Sequence, residues 1–114
     1  MKFSLIANGV QNEMFRVIHA SPTHLRYEEK NRTLTIPIEQ HLDNSIDIHL
    51  FRVTRWDAPA ERERLDEGRR QMIEFRLRSA LIFEGFSPEF GQSSVFAPEG
   101  TWSISGLNPN FAIS

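Results

Sequence analysis

The chain has 114 residues, enough for one domain and too few for two ordinary ones. Its 39% hydrophobic and 25% charged residues are the balance of a globular protein that can bury a core, not of a disordered chain. Thirteen basic residues stand against fifteen acidic ones, which argues against a nucleic-acid partner, because phosphate binding draws on clustered, unopposed Lys and Arg.

In chain order, MKFSLIANGV carries one lysine and an apolar run shorter than a signal-peptide core. No later segment approaches the roughly 20 apolar residues of a membrane span. The expectation is a soluble, cytoplasmic protein with no membrane partner. Four strands follow. MFRVIHA (14–20) alternates, with Phe15, Val17 and His19 on one side. HLRYEE (24–29) sets Leu25 and Tyr27 together, and Ser21-Pro22 fits the tight connection between the two. TLTIPI (33–38) places Leu34, Ile36 and Ile38 on one face, reached through a hairpin in which Asn31 takes the left-handed conformation. Pro37 cannot donate a ladder hydrogen bond and is expected at an edge or a strand end. IDIHLFRV (46–53) aligns Ile46, Ile48 and Leu50 opposite Asp47, His49 and Phe51.

Between this strand and the helix runs TRWDAPAERERLDEGRR. Eight of the ten residues from Glu61 to Arg70 are charged, four of each sign. One reading is a solvated segment laced by weak ion pairs. The other is a recognition surface in which Glu61, Glu63, Asp66 and Glu67 meet a basic partner. Trp56, at the mouth of this run, is expected to plug its ring between sheet and helix.

The helix is expected over about 67–84. Asp66 suits its N-cap, Glu67 meets the positive end of the dipole, and Gly85 suits the left-handed residue beyond its end. Ile73, Leu77, Ala80 and Leu81 form the core stripe. Phe75 and Ile82 point nearly opposite, either under the C-terminal segment or at a self-association face, which admits a homodimer. After Gly91 the chain becomes an aromatic extension, with a short hairpin expected where SVFA and TWSIS flank Pro98-Glu99-Gly100.

Motifs of chemistry are absent. Without cysteine there are no disulfides, thiolate metal sites or cysteine nucleophiles, which suits a reducing compartment. The histidines His19, His24, His41 and His49 form no HxxxH, HExxH or HxH arrangement, and there is no GxSxG, P-loop or GxGxxG. Asp47 and His49, sharing a strand face, offer two metal ligands but no third, so an exposed polar face is the better explanation. No catalytic residue, metal or cofactor is expected, and the chain is read as not an enzyme.

Three stretches together carry a resemblance: LRYEEKNRTLTIPIE (25–39), VTRWDAPAERERLDE (53–67) and RQMIEFRLRSAL (70–81). Their charged hairpin, Ile-Pro strand, tryptophan-proline loop and acidic helix start resemble the small immunity proteins of bacterial polymorphic toxin systems, in particular the family numbered seventy-four. The likeness covers about residues 17–90, and its most specific part is the loop from Trp56 to Pro59 ahead of Asp66. It implies stoichiometric binding and neutralisation of a cognate protein toxin, without catalysis. The alternative is a non-catalytic self-assembling or interaction module.

The expected fold is one α+β domain: an antiparallel sheet of four to six strands against one long helix, closed by the C-terminal hairpin. Its core is expected near Phe15, Val17, Leu25, Tyr27, Leu34, Ile36, Ile48, Leu50, Trp56, Ile73, Leu77 and Leu81.

Overall fold

The computed structural model describes residues 2–91; the expected C-terminal hairpin lies outside them. The strands are β1 (Ser4–Ile6), β2 (Gly9–Gln11), β3 (Arg16–Ser21), β4 (His24–Glu29), β5 (Arg32–Gln40), β6 (Ser45–Ile48) and β7 (Ser87–Phe90). The helix α1 spans Glu67–Glu84. Strand order in the sheet follows chain order from β1 to β7. Every neighbouring pair is antiparallel except β6 and β7, which run parallel because α1 carries the chain back to the starting end.

The α+β class stands, but among the described residues the sheet is mixed and has seven strands, where an antiparallel sheet of four to six was expected. Two of the unforeseen strands, β1 and β2, are three residues long, too short for alternation to show. They pair through a hairpin at Ala7-Asn8, and Gly9 lets β2 approach β3 closely. A Cβ at Gly9 would stand 1.9 Å from the Val17 carbonyl oxygen. The other, β7, contains Pro88, which an edge strand tolerates because one row of its amides needs no partner.

Three local expectations are corrected. Lys30, not Asn31, takes the left-handed backbone of the β4–β5 turn, at φ 47°. Pro37 lies inside the nine-residue β5, where that strand parts from β4 and takes up β6. The strand expected over residues 46–53 ends at Ile48. His49 leaves the extended region at φ −98°, ψ 52°, and Leu50–Arg52 form a 3-10 turn. The Arg70 guanidinium donates to the Leu50 and Val53 carbonyls at 2.9 and 2.5 Å, satisfying groups that a continuing strand would have paired elsewhere.

The helix forms where its sequence signals place it. Asp66 accepts a hydrogen bond from the Arg69 backbone N–H at 2.7 Å, and Gly85 adopts φ 100° beyond the last turn. The Phe86 N–H then donates to the Leu81 carbonyl at 2.9 Å, and its ring packs on the core. Ile73, Leu77, Ala80 and Leu81 are fully buried against the sheet. All twelve expected core residues are buried, joined by Val10, Ile38, Ile46, Leu65 and Ala80. Helix on one face of one sheet makes two layers, so the outer faces of both carry the surface chemistry. Among the described residues no helix is long and apolar enough to cross a membrane.

Candidate partner-binding surface

The loop from Val53 to Asp66 is tied to the sheet along its length. Trp56, 4% exposed, sits beside Tyr27 with ring centroids 6.4 Å apart, and the Arg69 guanidinium covers it at 5.5 Å. The expected plug is therefore in place, between a sheet residue and a helix residue. The Asp57 N–H donates to the Thr33 carbonyl and its carboxylate accepts from the Thr35 hydroxyl, at 2.8 and 2.7 Å. The loop closes on itself through a bridge between Arg55 and Arg64 and through the Leu65 N–H donating to the Thr54 carbonyl. Leu65 drops into the core as its inner anchor.

This geometry sorts the charged run into two groups. Glu63 receives a forked pair of hydrogen bonds from Arg32 of β5, at 2.8 and 2.7 Å. That contact holds the Glu63 carboxyl below the usual carboxylate range. Asp66 caps α1, Arg69 meets Glu29, and Arg70 caps the 3-10 turn. Glu61, Arg62, Arg64 and Glu67 stay exposed and, among the described residues, join no ion pair. Of the four acidic candidates, then, Glu61 and Glu67 are presented outward, while Glu63 and Asp66 also hold the fold together. The run is solvated along most of its length, and two of its charges, Glu63 and Arg69, are in ion pairs with sheet residues.

The outer side of α1 offers a second surface. Phe75 and Ile82 are 60% and 58% exposed, as their spacing opposite the core stripe required. Phe83, at the edge of this patch, leans on Phe3 with centroids 5.5 Å apart.

Two polar clusters were not legible in the sequence. Glu29, at the end of β4, accepts from the Tyr27 hydroxyl at 2.6 Å, from Arg76 at 3.2 Å and from Arg69. Arg76 also donates to the Tyr27 oxygen at 2.7 Å. Burial pushes the Tyr27 phenol up from its ordinary value, with the two arginines opposing that shift. His19 lies with Nε2 at 3.0 and 3.1 Å from the two carboxylate oxygens of Glu84, its ring against Phe86 at 5.4 Å. This pair floors an open hollow under the β1–β2 hairpin, shared with Leu5, Asn8, Ser21 and Gln40. An imidazole–carboxylate pair can move a proton, and among the described residues no hydroxyl is hydrogen-bonded to this imidazole. Its evident effect is to tie β3 to the end of α1.

Asp47 and His49 do not form the shared face expected of them, because the strand ends between them. His49 turns against Phe51 with centroids 5.9 Å apart, while Asp47 meets His41 Nε2 at 3.0 Å. Accepting a hydrogen bond from the imidazole, the Asp47 carboxylate raises His41 above its ordinary value. Comparison with protein-family models, curated proteins and solved structures gave no match.

Proposed function

We propose that this domain is an immunity protein, binding and neutralising a cognate bacterial toxin by stoichiometric protein–protein contact. The likeness carried by Leu25–Glu39, Val53–Glu67 and Arg70–Leu81 supports it. So does the construction of the loop, the observation that carries the reading. A charged crest held by Trp56, Asp57, Glu63 and Leu65 enters a complex already ordered, so little conformational freedom is lost on binding. Glu61 and Glu67, exposed and free of ion pairs among the described residues, are the groups that meet a basic partner. Charges so placed act chiefly on the rate of encounter and on specificity. Such a protein works by occupancy and needs no catalytic group or cofactor.

The test is growth of a bacterial host expressing the product of the adjacent gene, with and without this protein. Rescue and a one-to-one complex are expected. The double substitution Glu61→Arg/Glu67→Arg should weaken that complex by more than about tenfold, a loss of roughly 1.4 kcal/mol or more, while the chain still melts cooperatively, only a few degrees lower for the charge reversed at the start of α1. Binding undiminished by that double reversal would remove this surface. A harmless neighbour, or toxicity without rescue, would remove the function.

A second reading, self-association through the outer side of α1, is favoured by the exposure of Phe75 and Ile82.

A further inference from the structure

Where β5 turns back into β6, ligand-bearing side chains converge on the outer face of the sheet. Glu39 lies in register with Asp47, and Asp47 with Glu89 of β7, so the pleat sets three carboxylates side by side across three strands. His41 follows Glu39 by two residues. Its backbone N–H donates to the Ser45 carbonyl at 3.0 Å, holding it at the head of the turn, and its Nε2 stands 3.0 Å from Asp47 Oδ2. The donor atoms of Glu39, His41 and Asp47 all lie within 4.8 Å of one another. An open hollow beside them is lined by His41, Asp43, Ser45, Asp47 and Glu89.

Like charges directly opposite one another weaken a sheet. Among the described residues the basic partner of this group is His41, paired with Asp47, and no lysine or arginine pairs with Glu39, Asp43, Asp47 or Glu89. We propose that Glu39, His41 and Asp47 form a surface site for a divalent transition-metal ion. One imidazole nitrogen with two carboxylate oxygens suits Zn²⁺ and its first-row neighbours, whereas Mg²⁺ and Ca²⁺ take oxygen alone. Two donors on a tetrahedral zinc at about 2.1 Å sit about 3.4 Å apart. The His41–Asp47 separation is within a few tenths of an ångström of that value. The Glu39 carboxylate has to move on the order of 1 Å, and it stands on the solvent face of β5, where no core packing opposes the movement. The hollow leaves a fourth position open to water or to Glu89. A bound ion adds positive charge among these carboxylates and clips β5 to β6.

Titration of the full chain with ZnCl₂ by calorimetry tests the site, after treatment with EDTA. One ion per chain is expected, with a melting temperature raised on the order of 10 °C at about a hundredfold excess over Kd. MgCl₂ should leave it unmoved. His41→Ala and Asp47→Asn should each weaken Zn²⁺ binding by more than about tenfold, while His24→Ala leaves it unchanged. Both altered residues lie at the surface, so melting in EDTA should stay near that of the parent chain; should one variant fold poorly, the other decides. Absence of Zn²⁺ binding, binding undiminished in the two variants, or equal affinity for Mg²⁺ would each overturn the site.

Discussion

Glu29 is 8% exposed, yet it takes hydrogen bonds from Tyr27 on its own strand and from Arg69 and Arg76 on the helix. Two guanidinium groups share one carboxylate, so its loss leaves Arg76, whose side chain is only 16% exposed, with the Tyr27 oxygen and no counter-charge among the described residues. Glu29→Ala should therefore cost about 3 kcal/mol in urea unfolding, the usual penalty for orphaning a buried charge. Glu29→Gln, which keeps a neutral acceptor at the same place, should cost less; equal losses would mean that the charge carries the whole effect and the retained acceptor contributes nothing. At the surface the balance differs. Glu63 has a carboxyl lowered by Arg32, so its contribution is present above the ordinary carboxylate range and disappears as pH falls through the lowered value. Arg32→Ala should return the Glu63 titration, followed by NMR, upward to the ordinary range. Neither arrangement was legible locally. Arg32 and Glu63 are brought together by the loop's fold, and Glu29 meets Arg69 and Arg76 only once α1 lies against the end of β4.

Elements were readable where their period was long enough. β3, β4 and β5 alternate over six to nine residues, so the buried side of each showed in the order of its Val, Leu and Ile residues. α1 announced itself through Asp66 and Gly85, whose roles depend only on neighbours in the chain. β6 was overextended because Leu50 continues the apolar alternation. What stops the strand is a guanidinium from α1, invisible to any local pattern. β1 and β2 lack the length to signal anything, but Gly9 marks where they attach. Gly9→Ala would drive a methyl into the Val17 carbonyl and should destabilise by about 3 kcal/mol. Hydrogen exchange should show the loss first in β1 and β2; uniform loss through the sheet would mean that the hairpin is not a separable unit.

At the scale of the whole molecule, one helix covers one sheet among the described residues, and Phe75 and Ile82 stand exposed on the outer side of that helix. If this patch joins two copies, light scattering should give a dimer that Phe75→Glu returns to monomer without lowering the melting temperature of the monomer. A monomeric parent chain would dismiss self-association. The charged loop and the apolar helix face are carried by the same framework, because α1 begins where the loop ends. The parallel pairing of β6 with β7 also imposes an order in time. β1 through β5 meet across short turns, whereas Ser45 finds Ser87 only across the loop and the entire helix. Closing so long a span costs more chain entropy than closing a hairpin. On a ribosome every residue of the early hairpins is synthesised before Ser87, and β6 waits for the strand that pairs with it.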